Sequence, residues 1–428
     1  MRRRGVADLK AGVAERDITP PIGLPMWGYA ARKEPAQGVL DPLYARVLVL
    51  ESGLKRLALI SLDLGRTFGA TSLAQLRGAL RTRCGINYLI VAATHTHSGP
   101  VIQEEYTGGT PPWEQTALEQ IVQATDTAVK GLQPVRLGIG YGRAFIGHNR
   151  LRIEPDGTVI WFSSNPQRIP TAPVDPTVTV LRLDTYDGEP LAILAHHACH
   201  PVVLDAVNLN YSADFPGVTV RMVREAFDNK PICFFLQGAT GDINPYYAHL
   251  PPLENEIKLR DWTGLRLGEE VIRVASGVRT EIWEDTTIGC TEEVLRFRPR
   301  YWPSAWRAAI KSFGEEFARW FNPRMEQESR VPLTTVLIGK RLALMTIPGE
   351  PFVAFQQSWR ECCPVRDSLL LGYANGYFGY FPTIRAAAYG GYGASGPTAW
   401  IEVGAGERLV NQATVRVYEM LGQLKRRP

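Results

Sequence analysis

The chain has 428 residues, 45% hydrophobic and 21% charged, the profile of an ordinary globular protein rather than a disordered, collagenous or membrane-embedded one. Its 47 basic and 43 acidic residues leave a formal charge of +4, with the basic runs confined to the two termini, so no nucleic-acid partner is expected. The opening MRRRGVADLKAG has charge without an apolar stretch behind it, and no run approaches the roughly 18 apolar residues of a membrane span; neither signal peptide nor transmembrane helix is expected, and the cytoplasm is the default compartment.

In chain order, the apolar runs Arg46–Leu50, Leu57–Leu62 and Tyr88–Ala93 read as buried strands, with a helix over Ser72–Leu80 between the last two. A second helix is expected over Glu114–Leu132, entered through Thr110-Pro111-Pro112. Strands follow at Val178–Leu183, Leu191–Leu194 and Ile232–Leu236, and helices at Phe215–Phe227 and Leu265–Ala275. Tyr301–Phe321 spaces Trp306, Ile310, Phe313, Phe317, Trp320 and Phe321 along one helical face, either core or a cap over a cleft. Thr335–Ile338, Gly339-Lys340 and Arg341–Ile347 read as a hairpin, so the sheet is expected to be mixed. The chain closes on a helix with Leu409, Ala413, Val417, Met420 and Leu424 on one stripe. Strands interleaved with such helices point to α/β architecture, mixed β-sheets with flanking helices, and the lack of repeats or linkers to one domain over residues 1–428. Six cysteines without a CxxC pair read as free thiols.

All seven histidines lie between positions 95 and 249, and five form two clusters. Thr94-His95-Thr96-His97-Ser98-Gly99-Pro100 follows a strand, so His95 and His97 can project together from its end. His196-His197-Ala198-Cys199-His200-Pro201 also ends an apolar run; at most one or two of its histidines are expected to be ligands, the others orienting or packing. Asp214, entering a helix, either orients an imidazole or caps that helix. Glycines around Asp242 and Asn244 allow backbone to approach a ligand, although a plain tight turn fits as well. Glu350, between Pro348-Gly349 and Pro351 at a strand exit, can complete a His/His/Glu set, an established zinc combination. Gly372–Tyr380 is a dense tyrosine run, and Gly390–Pro397 reads as a site loop. HExxH, GxSxG and GxxxxGK are absent, and Gly138-Ile139-Gly140-Tyr141-Gly142 lacks dinucleotide-fold spacing.

Taken together, Asp17-Ile18-Thr19-Pro20, Met26-Trp27-Gly28-Tyr29, Thr94–Pro100, Asn149-Arg150, Ala198-Cys199-His200 with Ser212-Ala213-Asp214, Gly241–Pro245, Pro348-Gly349-Glu350 and Ala374-Asn375-Gly376-Tyr377 resemble, in order, the catalytic domain of the neutral/alkaline (non-lysosomal) ceramidase family. The resemblance implies one catalytic zinc per chain and cleavage of an N-acyl amide bond. It implies His95, His200, Glu350 and Tyr380 as metal ligands and His97 beside the reacting water. Arg150 would hold the reacting carbonyl, and Tyr392, twelve residues after Tyr380, matches the family's second functional tyrosine; Asp242 and Tyr377 are expected to touch substrate. Asn244 stands where the family motif GDVSPN has its serine, and Arg385-Ala386-Ala387-Ala388 replaces a charged segment. The family's C-terminal immunoglobulin-like domain and secretion signal have no counterpart, so a shorter, intracellular relative acting on something other than ceramide is expected.

The expected reaction is hydrolysis of a carboxamide in a small, possibly lipid-like substrate, with ester or lactone cleavage on the same site as close second. A two-metal phosphoester or sulfate-ester hydrolase and a catalytically inactive metal-binding relative are the other readings. Nothing in the residues speaks to oligomeric state.

Overall fold

The computed structural model describes residues 8–300, 328–395 and 398–425; the aromatic segment 301–321 lies outside them. Among the described residues, eight strands join one sheet: β1 (Lys10–Asp17), β2 (Tyr44–Ser52), β3 (Lys55–Leu62), β4 (Tyr88–Ala93), β5 (Gln133–Arg143), β6 (Thr177–Thr185), β7 (Pro190–His197) and β8 (Ile232–Gln237). Their order is β8-β7-β6-β5-β1-β2-β3-β4. β5 meets β1 over only two residue pairs, so the sheet is two four-stranded halves joined at a narrow seam. Each half ends on a parallel pair, β3/β4 and β7/β8, and the other neighbours run antiparallel. The outer edges come together, with the Ser61 hydroxyl on β3 donating to the Phe235 carbonyl on β8 at 2.7 Å.

A second sheet stacks β9 (Ile288–Phe297), β10 (Ser329–Ile338), β11 (Leu342–Thr346) and β12 (Asp367–Leu371) in that order, again closing on a parallel pair, β11/β12. Parallel neighbours need a crossover, and the helices supply it: α1 (Ala70–Cys84) between β3 and β4, α3 (Asp214–Ala226) between β7 and β8, and α5 (Val353–Cys362) between β11 and β12. The remaining helices among the described residues are α2 (Pro112–Lys130), α4 (Leu253–Gly277), α6 (Ala405–Met420) and a short one over Ile384–Tyr389. Among the described residues, no helix is long and apolar enough to cross a membrane.

The period of two along each strand sets the layers. On β3, Ala58, Ile60 and Leu62 join the core of α1 and α2, while Leu57 and Leu59 face the second sheet. On β8, Cys233 and Phe235 turn to α3 and α4, and Phe234 and Leu236 to the second sheet. The other face of the second sheet packs under α5 and α6. Burial on both faces is why these strands read as unbroken apolar runs.

The hairpin expected around residue 340 forms, with Ile338 opposite Leu342 and both Gly339 and Lys340 at positive φ. Leu265–Ala275 is the C-terminal part of a longer helix, α4, and Leu424 falls beyond the end of α6. The Gly138/Gly140/Gly142 run is strand β5. A Cβ on Gly138 or Gly140 would lie 2.4 Å from a methyl of Val278, and one on Gly142 would lie 2.1 Å from Glu270 Oε1. These alternate glycines give β5 a flat face on which the end of α4 and the turn after it rest.

Candidate metal centre

Three loops that leave the C-terminal ends of parallel strands carry the donors. The side chain of Gln237, at the end of β8, ties two of them together by donating to Thr94 O at 2.9 Å and Cys199 O at 3.0 Å. His95 sits one residue beyond Thr94 with φ 71, a conformation a non-glycine residue adopts only under constraint. Its backbone N–H bonds Leu64 O at 2.9 Å, and its ring Nδ1–H donates to Gly65 O at 2.5 Å. His200 is held the same way, Nδ1–H donating to Thr240 O at 2.6 Å and Ile243 O at 3.1 Å. Glu350, leaving β11, pairs with Tyr380 in a two-residue parallel bridge.

Since a carbonyl only accepts, both imidazoles carry their proton on Nδ1 and present a bare Nε2. These Nε2 atoms face one carboxylate oxygen: His200 Nε2 is 3.1 Å and His95 Nε2 3.5 Å from Glu350 Oε2. Three acceptors aimed at one another inside a protein repel unless a cation or a proton lies among them. Tetrahedral donors about 2.1 Å from a zinc lie about 3.4 Å apart, so the spacing fits an ion. The donor atoms of His95, His97 and His200 lie within 4.8 Å of one another. His97 Nε2 is 3.3 Å from His95 Nε2, but among the described residues its buried Nδ1 has no partner, unlike the orienting bonds that fix the other two rings. Burial, then Arg150 and His95, push the His200 pKa down to about 3, and burial with the neighbouring imidazoles holds His97 well below its usual value. Burial alone would raise Glu350; positive charge on the side of His95 and His200 outweighs it and holds the carboxyl well below the usual range, and with both Nε2 atoms bare that charge would have to come from a bound cation.

Arg150 closes one side. Its Nη1 donates to Asn244 Oδ1 at 2.9 Å, and its Nη2 to Gly241 O at 2.8 Å and the Tyr380 hydroxyl at 2.9 Å, leaving the buried Nε without a partner among the described residues. The guanidinium lies over Trp161, 4.8 Å from the ring centre, and over Tyr392 at 5.3 Å. Tyr392 is 42% exposed and packs against both Trp161 and Tyr380.

The structure thus brings His95, His97, His200, Glu350, Arg150, Asn244, Tyr377, Tyr380 and Tyr392 together but changes several expected roles. Tyr377, expected to meet substrate, is buried and donates its hydroxyl to Glu350 Oε1 at 2.5 Å, holding the carboxylate. Asp242, expected to do the same, has both oxygens engaged at 2.7 Å, by Val353 N and by Asn149 Nδ2. Asn244 is fully buried with both ends of its amide engaged, accepting from Arg150 and donating to Ser163 O at 2.8 Å. Asp214 is the first residue of α3 rather than its N-cap; it accepts from the first-turn N–H of Phe215 at 2.6 Å and from Leu204 N at 3.0 Å, a helix-end role rather than that of orienting an imidazole. His196 and His197 donate to Leu370 O and Thr177 O and pack in the core. Sequence reasoning missed Tyr373, whose ring stacks on His95 at 4.0 Å and whose hydroxyl pairs with Thr240 Oγ1 at 2.5 Å. It also missed Gly28, where a Cβ would lie 2.4 Å from the His97 ring; the position inside a Trp-Gly-Tyr motif was the available signal.

Residues 9–249 match the family model for neutral/alkaline non-lysosomal ceramidase, N-terminal. The neutral ceramidase of Pseudomonas aeruginosa is 25% identical over 291 residues, 63% of this chain and 42% of that protein. Neutral ceramidase of Drosophila pseudoobscura pseudoobscura (24% over 267 residues; 56% of this chain, 36% of that one) and neutral ceramidase A of Dictyostelium discoideum (24% over 258; 55% and 35%) are similarly related. The chain therefore matches less than half the length of these relatives. In solved structures, the Pseudomonas aeruginosa neutral ceramidase superposes with a TM-score of 0.73 at 19% identity, over 98% of this chain and 76% of that one. A ceramidase complexed with C2 gives 0.74 at 18% identity, over 99% and 76%. Both are likenesses of fold: mixed sheets with flanking helices.

Proposed function

The chain belongs to the neutral/alkaline non-lysosomal ceramidase family, and from that premise we propose that it is a zinc-dependent hydrolase of an N-acyl amide bond. The observation that carries the reading is the pair of bare imidazole Nε2 atoms aimed at one oxygen of Glu350. His95, His200 and Glu350 would hold the ion, with the Tyr380 oxygen the proposed fourth donor. A bound zinc supplies Lewis acidity and brings the pKa of a water down to about 7. His97, kept neutral by burial, would accept a proton at Nε2, the atom that faces the centre. Arg150 would meet the charge that develops on the carbonyl oxygen, and Tyr392 would donate its phenol there; one such donor is worth about 3–4 kcal/mol in the transition state. Tyr377 keeps Glu350 turned towards the imidazoles. Amide cleavage leads, with ester or lactone cleavage second, because the carbonyl chemistry differs only in protonation of the leaving group. Asn244 at the serine position favours a substrate other than ceramide.

Metal analysis of the purified chain, followed by turnover of N-acyl sphingoid bases, N-acyl amino acids and lactones, tests this. About one zinc per chain is expected, with hydrolysis of at least one amide and loss of both in His95→Ala. Full zinc content in His95→Ala, or two metals with phosphoester turnover, would overturn it.

A further inference from the structure

A second cavity lies beside Arg150, on the side of the chain to which Asn149 points. It encloses about 410 Å³, within the range of small-molecule pockets. Its walls are apolar, built from Leu151, Ile153 and Val159 of a short hairpin, Phe352, and Ala386 and Tyr389 of the helical turn Ile384–Tyr389. None of the metal-centre donors, nor Arg150, Tyr380 or Tyr392, lines it.

Two polar features point to its ligand. Arg385 lines the cavity and, among the described residues, has no ion pair or hydrogen bond; it meets only the Tyr389 ring, at 5.9 Å. The Thr383 hydroxyl accepts from Ala386 N at 3.0 Å, leaving its own proton to donate into the cavity. Among the described residues the one carboxylate in the lining, Asp242, already has both oxygens engaged. A guanidinium and a hydroxyl donor beside apolar walls match an amphiphile with one small anionic head. Ile153 and Tyr389 are 45% and 46% exposed at the same cavity, so an alkyl chain would cover apolar surface that is otherwise wet.

We propose that this cavity binds a medium-chain carboxylate, its head on Arg385 and Thr383 and its tail against Leu151, Val159 and Phe352. An N-acyl hydrolase releases such an acid at each turnover, so on the reading above the ligand is the protein's own product; the binding does not depend on that reading. Communication with the metal centre has a short route. A Cβ on Gly391 would lie 2.9 Å from Val159 and 3.3 Å from Leu151, and Tyr392 follows directly in the chain.

Calorimetric titration of the full chain with decanoate below its micellar range is the test, with 1-decanol as the uncharged probe. Wild type and His95→Ala should bind decanoate equally and prefer it to decanol. Arg385→Glu should weaken it by roughly tenfold or more, and Ala386→Trp, which fills the cavity, should abolish it. Circular dichroism identifies any variant that has not folded, and Arg385→Glu, on an exposed side chain, decides alone if Ala386→Trp fails. Equal binding to wild type and Arg385→Glu, or equal affinity for decanol, overturns the proposal. So does binding lost in His95→Ala but kept in the cavity variants, since the acid would then be on the metal centre. Because the readout is binding, absence of amide turnover would sink the hydrolytic reading and leave this one standing.

Discussion

Asn244 shows how one buried amide sets the position of a charge. Its oxygen faces Arg150 and its nitrogen faces Ser163 O, so truncation strands two buried partners at once. Losing one hydrogen bond to a charged group costs about 1.5–3 kcal/mol. Asn244→Ala is therefore expected to lower kcat/KM by about 10- to 100-fold with zinc content unchanged; full activity would remove Arg150 from the reaction as described. At this scale His95, His200 and Glu350 were legible because each follows an apolar run and stands beside small or rigid residues at a strand exit. The partners of Asp242 and Tyr377 were not legible, for one reason. A motif gives the type of side chain, not whether its polar atoms are already engaged by a distant segment such as Val353 N or Glu350 Oε1. Tyr373 was one tyrosine among several, and only the stacking on His95 singles it out.

The elements show the same division. Buried strands announce themselves by composition, and β3, β4, β7 and β8 stand where the apolar runs place them. Strand β5 did not, because its alternate glycines carry no apolar signal; their purpose appears only when Val278, from a turn nearly 140 residues later, closes on them. Gly140→Val would drive its side chain into Val274 and Val278, and overpacking of that kind costs about 1–3 kcal/mol. The expected outcome is a lower urea midpoint with metal content retained, and an unchanged midpoint would refute the packing argument. α4 was half read because its first half has little apolar face of its own, beginning Leu-Glu-Asn-Glu.

For the whole molecule, the loop behind His200 is coupled to global stability through Asp214. Burial, opposed by the backbone N–H groups of Leu204 and Phe215 and by Arg260, raises its pKa from 3.8 to about 7. Between those values the folded chain holds a proton that the unfolded chain has released, so stability falls as pH rises from about 4 to 7, by a few kcal/mol in all. Below that window the carboxyl is neutral in both states and the penalty is absent; above it the full cost of the buried charge is present. Asp214→Asn loses stability at every pH because its amide N–H faces a backbone donor. The readout is the slope: the wild-type fall in unfolding free energy between pH 5 and 7 should flatten in the variant, and parallel curves would refute the assignment. By itself the sequence determined which residues belong to strand ends, which chemistry they carry and, through the ordered motifs, which family they resemble, because these depend on local composition and order. The tertiary structure alone decided which donors meet, since that requires two half-sheets and a second sheet to bring His95 and His200, 255 and 150 residues before Glu350, to within 3.5 Å of its one carboxylate oxygen.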